Sequence, residues 1–270
     1  RDNLYGKSKR DSRILLSDWS AKSGGKFSGL IIPNVFGPFG KPFYNSVIAT
    51  FCYQVSRDLL PKIDVDNQLK LIYIGELVYD IIRLIRNEDN SHYYIVNHTA
   101  EVTVSELLKR IINYRDIYQL NGEIPKLNNS FDLHLFNTFR SYIDLNEYFP
   151  KKYEEHKDKR GAFVEIIRNN IGGQTSYSTT NPGITRGNHF HTRKIERFAV
   201  IKGKALIQLR RVGTDQVFNY YLDGNEPSYV DMPIWYTHNI KNIGEDVLYT
   251  LFWINEPYNA DDPDTWMENV

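Results

Sequence analysis

The sequence predicts an α/β region followed by an all-β region, on three observations. In residues 1–120, apolar strand-like runs alternate with amphipathic helical stretches, an order typical of α/β folds. From Gly161 onward, short β-branched and aromatic runs are separated by Gly, Asn and Asp turns, which favours a sandwich or barrel. The 19 tyrosines suit β-rich packing. We therefore expect an α/β region at 1–120, an ordered linker at 121–155 and a β domain at 156–270.

Composition limits the classes of protein that this chain can represent. Its 33 basic and 33 acidic residues balance, so no overall field attracts nucleic acid or a membrane surface. Cys52 is the single cysteine, which excludes an internal disulfide and fits a reducing cytoplasm. No apolar run is long enough to span a bilayer. We expect a cytoplasmic protein that begins inside a longer chain, because the first residue is not Met.

The α/β region divides into helices and strands by hydrophobic period. A helix is expected over Leu4–Ser23, where Gly24 and Gly25 would stop it, and a buried parallel strand over 27–32. The remaining expected elements are a helix over 45–59, a strand over 69–74, a helix over 76–86 and a helix that opens at Val102 with Ser105 near its cap.

Tyr5 and Lys9 form a candidate proton-transfer pair. Four residues apart on a helix, they lie on one face, and a lysine there lowers the pKa of a phenol that passes a proton. The same spacing also describes an ordinary solvated tyrosine–lysine pair, and spacing alone favours that interpretation.

His189, His191, Glu196 and His238 form a candidate metal site. Two histidines separated by one residue of a strand point the same way, and Phe190 between them faces the packing. Glu196 follows after room for a bend, and His238 could enter from across a barrel. Three imidazoles and one carboxylate suit zinc, iron, manganese or nickel. The alternative is surface or hydrogen-bonded core histidines.

The spacing around this site resembles the first cupin motif: Gly183, five residues, His189–His191, four residues, Glu196, six residues and Gly203. Pro233, His238 and Asn242 resemble the second motif. The resemblance implies a cupin jelly-roll barrel. The chain departs from the family pattern in two places. The family has glycine where this chain has Trp235, and the glycine that opens the second motif is displaced to Gly224.

The first 118 residues resemble the carboxyl half of extended short-chain dehydrogenases/reductases that act on nucleotide sugars, a partial Rossmann-like fold. The family's usual aspartate pair is Gly75-Glu76 here, and no glycine-rich pyrophosphate turn precedes Tyr5. NADPH is therefore expected only with the missing upstream half. Asn34 and Asn45 are candidate contacts for the UDP-sugar, and turn capping is the rival role for Asn34. The resembling stretches are 5–9, 34–38, 45–49 and 72–78.

The combination resembles the bifunctional capsule-precursor enzymes of the CapF type, on stretches 41–53, 182–189, 236–240 and 255–258. That family implies zinc on His189, His191, Glu196 and His238, and C3 epimerisation of a UDP-2-acetamido-2,6-dideoxy-hexos-4-ulose followed by NADPH-dependent C4 reduction. The acid and base candidates are Lys194 and Tyr236, which flank the ligands; Lys194 could equally be a solvated strand residue.

The substrate implied is a UDP-linked deoxy amino sugar. We expect a homodimer, with residues 261–270 lying over the barrel or at the dimer contact. Two other functions stay open from the sequence. One is an iron cupin dioxygenase that activates oxygen on a small molecule. The other is a non-enzymatic sugar-binding or dimerisation module whose metal is structural.

Overall fold

The computed structural model describes residues 3–88, 91, 93–153, 156–158, 161–163, 173–256 and 259–270. They form two compact units. Unit 1 contains the described residues up to Thr50 together with Lys62–Leu108, and unit 2 contains Phe51–Pro61 together with the described residues from Lys109 onward. An α/β region is thus followed by a β-rich region, as predicted. No described helix is both long and apolar enough to cross a membrane.

The first 114 residues carry the α/β elements. In chain order they are α1 (Leu4–Ser23), β1 (Leu30–Ile31), β2 (Asn34–Phe36), α2 (Val47–Val55), β3 (Gln68–Tyr73), α3 (Ile74–Arg86), β4 (Tyr94–Ile95), β5 (Ala100–Thr103) and α4 (Val104–Tyr114). Strand β1 pairs in parallel with β4, and β3 pairs in parallel with β2 and antiparallel with β5. The core of unit 1 centres on Ile72, Leu77 and Val96.

Helix α1 has the predicted bounds and a glycine stop. The Asn3 side chain accepts a hydrogen bond from the Gly6 amide at its start, and Gly24 ends it at φ 73°. Its apolar side chains are largely exposed, however, including Leu15 at 69% and Trp19 at 55%. Ile14, Leu15 and Leu16 are consecutive, and consecutive positions spread around a helix instead of sharing a face.

Two expectations about elements of unit 1 are wrong. The buried strand over 27–32 is reduced to β1, and Ile31 and Ile32 are 38% and 42% exposed. Helix α4 begins two residues later than expected because Val102 and Thr103 belong to β5. Its cap is formed by Thr103 and Glu106, because the side chain of each accepts a hydrogen bond from the backbone amide of the other. The Ser105 hydroxyl instead donates a hydrogen bond to the Asp66 carboxylate.

Unit 2 begins with helices and continues with strands. The helices are a π-helix (Arg115–Leu120), α5 (Ser130–Arg140) and α6 (Leu145–Tyr148). The strands are β6 (Lys151–Lys152), β7 (His156–Asp158), β8 (Gly161–Phe163), β9 (Gln174–Thr180), β10 (Thr185–Phe190), β11 (Glu196–Lys202), β12 (Lys204–Arg211), β13 (Val217–Asp223), β14 (Ser228–Met232), β15 (Tyr236–Asn242), β16 (Leu248–Ile254) and β17 (Trp266–Met267). The strand that the sequence predicts over 162–167 lies partly outside the described residues.

Ten of these strands form two five-stranded antiparallel sheets. The sheet that carries the candidate histidines, here the histidine sheet, has the order β13-β12-β15-β10-β17. The sheet that carries Glu196, here the glutamate sheet, has the order β6-β14-β11-β16-β9. Strand β13 of the histidine sheet also contacts β11 and β14 of the glutamate sheet. Residues 261–270 were expected to lie over the barrel or at the dimer contact, and β17 within them joins the histidine sheet beside β10.

The stretch predicted as a linker belongs to unit 2 and packs with the glutamate sheet. A buried pair, Arg197 on β11 and Asp231 on β14, makes two hydrogen bonds of 2.8 and 3.0 Å. The Tyr118 hydroxyl of the π-helix donates to the same carboxylate, and Arg140 of α5 donates to the Met232 carbonyl. The π-helix and α5 therefore hold the face of β11 opposite to Glu196, since neighbouring residues of a strand face opposite ways.

We predict that Arg197→Met lowers the free energy of unfolding of unit 2 by about 3–5 kcal/mol, because it leaves Asp231 as a buried carboxylate without its cation. Urea unfolding followed by tryptophan fluorescence measures the change, since Trp253 is 1% exposed on β16. The double variant Arg197→Met/Asp231→Leu should be less destabilised than the single one.

Lys152→Met serves as the matched control, because it removes an exposed ion pair with Glu226. It should change the free energy of unfolding by less than about 1 kcal/mol. Equal losses in Arg197→Met and Lys152→Met would contradict the role assigned to the buried pair.

Candidate metal centre

Four side chains of unit 2 converge at one point. His189, His191, Glu196 and His238 each offer one ligand atom, and these atoms all lie within 4.8 Å of one another. The imidazole rings lie 4.6–5.4 Å apart, centroid to centroid. His189 is half-buried and the other three are buried. This donor set is of the kind that divalent transition metals prefer.

The four come from both sheets. His189 lies on β10 and pairs in register with His238 on β15, the adjacent strand of the histidine sheet. The expectation that His238 enters from across a barrel is thus wrong, and it is Glu196 that comes from the other sheet. Phe190 faces away from the imidazoles and stacks on Trp235, with ring centroids 5.5 Å apart.

A β-bulge aims His189 at the cluster. The register between β10 and β15 shifts between Gly187 and His189, which rotates the strand locally. Gly187 has φ 100°, and a Cβ there would lie 2.9 Å from the His238 carbonyl oxygen, so a larger residue would push the two strands apart. Asn188 follows at φ 59°, and its side-chain oxygen accepts a 3.1 Å hydrogen bond from Asn239.

Backbone carbonyls set the tautomers of two imidazoles. Nδ1 of His191 contacts the Asp264 carbonyl oxygen at 2.5 Å, and Nδ1 of His238 contacts the Tyr236 carbonyl oxygen at 3.2 Å. A carbonyl oxygen only accepts, so we assign the proton to Nδ1 in both rings. In the neutral rings, Nε2 is then a bare acceptor directed at the cluster, as in most metal-bound histidines.

The two Nε2 atoms and the Glu196 carboxylate are arranged in a way that fits a bound cation. Glu196 Oε2 lies 3.1 Å from His191 Nε2 and 3.3 Å from His238 Nε2. None of these three buried atoms has a well-oriented hydrogen-bond partner among the described residues. With neutral rings, three acceptors face one another, an arrangement that burial makes costly unless a positive charge lies between them. The donor set and these orphaned atoms together suit a divalent metal.

The electrostatics of the cluster favour the metal-binding forms of His189 and Glu196 but the protonated form of His191. Burial, together with His238 and His191, lowers the pKa of His189 to about 4, so this ring is neutral at neutral pH. Burial raises the pKa of Glu196, but its contacts with His191 and His238 outweigh that and hold the pKa below its ordinary value. Burial lowers the pKa of His191, and the contact with Glu196 outweighs it, so this pKa is raised. A metal would displace that proton.

The segment between His191 and Glu196, here the ligand loop (Thr192–Ile195), is hydrogen-bonded from several sides. Asn137 of α5 donates to the Arg193 carbonyl, and Asn255 both accepts from and donates to the backbone of Ile195. The Asp264 carboxylate accepts from the three remaining loop amides, Thr192–Lys194. Sequence reasoning did not identify Asn137, Asn255 or Asp264.

The candidate acid and base lie beside the cluster in sequence. Lys194 is buried, and its amine donates a 2.5 Å hydrogen bond to the Pro263 carbonyl. Tyr236 is also buried, two residues before His238 on β15, so both side chains point to the same face of the histidine sheet. Burial raises the pKa of Tyr236, so its hydroxyl stays protonated at neutral pH.

The other candidate residues lie in unit 1. Tyr5 and Lys9 share a face of α1, with the Lys9 ammonium 5.4 Å from the Tyr5 ring centroid and Tyr5 63% exposed. Asn34 opens β2 and donates to the Lys70 carbonyl at 3.3 Å. Asn45 is exposed in the turn before α2, where the Ser46 hydroxyl accepts from the Ala49 amide and so caps the helix.

Comparison with known proteins places these features in context. The NAD dependent epimerase/dehydratase family model matches residues 1–97, and the polysaccharide biosynthesis C-terminal domain model matches residues 156–266. A UDP-2-acetamido-2,6-beta-L-arabino-hexul-4-ose reductase from Pseudomonas aeruginosa is 30% identical over 271 residues, which covers 100% of this chain and 72% of that protein.

Two further relatives cover different shares of the chain. The crystal structure of the capsular polysaccharide assembling protein CapF from Staphylococcus aureus is 35% identical, with a TM-score of 0.58 over 100% of this chain and 75% of that one. The spore coat polysaccharide biosynthesis protein SpsL from Bacillus subtilis is 27% identical over 124 residues, 42% of this chain and 82% of that protein.

Trp235 has a backbone conformation that favours glycine, with φ 61°. Its amide donates to the His191 carbonyl at 2.8 Å, and its carbonyl accepts from Val212 at 2.9 Å. Trp235 therefore forms a turn in which a residue other than glycine bears about 1–2 kcal/mol of left-handed strain. Stacking on Phe190 offsets part of this cost.

We predict that Trp235→Gly is more stable than Trp235→Ala by about 1 kcal/mol, because both variants lose the ring and only glycine is unstrained at positive φ. Urea unfolding measures the difference. At Tyr221, an exposed residue of β13, the order should reverse, with alanine more stable than glycine. The same order at both positions would contradict strain at Trp235.

Proposed function

Because this chain belongs to the family of the Pseudomonas UDP-2-acetamido-2,6-beta-L-arabino-hexul-4-ose reductase and the Staphylococcus CapF protein, we propose that it modifies a nucleotide sugar during polysaccharide biosynthesis. We assign to unit 2 the epimerisation of C3 in a UDP-2-acetamido-2,6-dideoxy-hexos-4-ulose. The convergence of His189, His191, Glu196 and His238 is the observation that carries this proposal. In fold terms, the two facing sheets would correspond to a cupin jelly roll, with zinc as the metal.

The chemistry of the substrate explains why a metal site would serve this reaction. The C3 proton lies next to the C4 ketone and is only weakly acidic. The four side chains would hold a divalent cation, and its Lewis acidity would stabilise the enolate of that ketone, an effect worth several kcal/mol. Three neutral imidazoles and one carboxylate leave such a cation with a net positive charge. The chain must then supply a base on one face of C3 and an acid on the other.

Tyr236 suits the acid, since its hydroxyl stays protonated and its side chain points to the same face of the sheet as His238. Lys194 is the candidate base. Its amine is engaged with the Pro263 carbonyl, so acting as a base requires it to lose a proton and leave that hydrogen bond. The two roles can be separated experimentally, because removing a proton and returning one to the opposite face are different steps.

Unit 1 would belong to a reductase site, with Tyr5 and Lys9 as the proton-donating pair and Asn34 and Asn45 as contacts for the UDP-sugar. The match of residues 1–97 to the NAD dependent epimerase/dehydratase family supports this assignment, and the Tyr5 ring lies exposed beside the Lys9 ammonium. NADPH would supply the hydride for C4. The chain carries no glycine-rich turn of the kind that holds a pyrophosphate, so its own residues do not fit the dinucleotide, and we derive no hydride step from them.

We predict that zinc-loaded protein in D₂O introduces deuterium at C3 of a UDP-linked 4-keto-6-deoxy amino sugar, and that His189→Ala slows this exchange at least about 100-fold. Mass spectrometry and proton NMR of the sugar measure the exchange. His98→Ala, which removes an imidazole paired with Glu101 in unit 1, is the control and should leave the rate unchanged.

The outcomes separate the alternatives. Stoichiometric zinc with no deuterium at C3 would overturn the epimerase and leave a binding or dimerisation module. Stoichiometric iron with oxygen consumption would instead favour an oxygen-activating enzyme. Equal exchange in the native chain and in His189→Ala would show that the cluster is not the reaction site.

We also predict that Tyr236→Phe keeps C3 exchange but forms at least about 100-fold less inverted product, because a base alone returns the deuteron to the face from which it came. Lys194→Met should lose both exchange and inversion. Tyr221→Phe, an exposed hydroxyl on β13, is the control. If Lys194→Met retains exchange, Lys194 is not the base.

A further inference from the structure

We propose that Asp264 is a positioning residue that holds the ligand loop and, through it, His191 in metal-binding geometry. The inference rests on the proposed metal site and goes beyond the four ligands. Asp264 lies 73 residues after His191 and is 4% exposed. It contacts the loop with both its carboxylate and its backbone carbonyl, and each group has a separate effect.

The carboxylate gathers the amides of the ligand loop. It accepts from the Thr192 amide at 3.0 and 3.2 Å, the Arg193 amide at 2.9 Å and the Lys194 amide at 3.2 Å. The Thr192 hydroxyl adds a hydrogen bond of 2.6 Å. Consecutive backbone amides that turn towards one anion form a concave nest, and such charge-assisted hydrogen bonds are stronger than neutral ones. One side chain thus fixes the path from His191 to Glu196.

The backbone carbonyl of Asp264 orients the imidazole itself. It contacts Nδ1 of His191, which leaves Nε2 directed at the cluster. Asp264 has φ 40°, a conformation rarely adopted by residues other than glycine. Its backbone is therefore held where the carboxylate and the carbonyl can both reach the loop, and local strain of this kind marks sites that the surroundings determine strongly.

The segment that carries Asp264 is anchored independently of its carboxylate. Strand β17 pairs with β10, Arg210 donates to the Glu268 carboxylate, and the Thr237 hydroxyl donates to the Glu268 carbonyl. Lys194 also donates from its side chain to the Pro263 carbonyl. Removing the charge of Asp264 therefore frees the loop amides without detaching the segment from the histidine sheet.

The test is Asp264→Asn, which keeps the size of the side chain but removes its charge and one of its two acceptor oxygens. In metal-free protein, hydrogen exchange of the Thr192–Lys194 amides should become about tenfold faster. Zinc affinity, measured by competition with a chromogenic chelator, should fall about 10- to 100-fold. Asp261→Asn makes the same change at an exposed carboxylate three residues earlier and should alter neither quantity.

A merely structural role would lower the unfolding midpoint of the metal-free protein and leave zinc affinity unchanged. That result, or loop amides that exchange at the native rate, would overturn the proposal. If the native chain binds no zinc, the proposed metal function fails, whereas the amide exchange still decides whether Asp264 holds the loop. Should Asp264→Asn not fold, Thr192→Val removes one hydroxyl hydrogen bond, and a zinc affinity equal to that of the native chain would count against the proposal.

Discussion

Compensation of buried polar atoms by a cation or a proton is the constraint on which the candidate metal centre depends. Oε2 of Glu196 lies 3.1 Å from Nε2 of His191 and 3.3 Å from Nε2 of His238, and none of these three atoms has a hydrogen-bond partner of suitable geometry among the described residues. Taking such groups out of water is costly unless a cation or a proton compensates them. The chain holds them together through rigid neighbours: a bulge at Gly187, carbonyls behind two rings and a carboxylate behind the ligand loop.

Buried polar groups are also held by specific partners on the other face of the glutamate sheet. Glu196 and Arg197 are adjacent on β11, so one side chain faces the cluster and the other faces the π-helix and α5. Arg197 is fixed by Asp231, whose carboxylate also accepts from Tyr118. Two buried polar groups on one strand thus have separate partners on separate faces, and the helices that precede the sheets contribute to the placement of Glu196 through Arg197.

The sequence predicted what local spacing encodes. The alternation of a strand placed His189 and His191 together, and the period of apolar residues gave α1 its bounds, with Gly24 as its stop. It did not predict Asp264 or Asn137, because these residues act through contacts 56–73 positions distant, and their local sequence carries no signal. Nor did it predict the positive φ of Trp235, since a tryptophan gives no sequence signal for that conformation. The buried strand over 27–32 was expected from its continuous apolar run, a pattern that does not reveal how much of the strand its neighbours cover.

The pairing of β17 with β10 bears on the order in which the chain can assemble. During synthesis the imidazoles and Glu196 emerge before residue 264, yet the Thr192–Lys194 amides between them find their acceptor only on that later residue. Contacts of such long sequence separation form late, because a large loop must close first. If the chain binds a metal as proposed, the nascent chain presents the four ligands before the contacts that hold the ligand loop have formed, so metal loading would follow the pairing of β17 with β10.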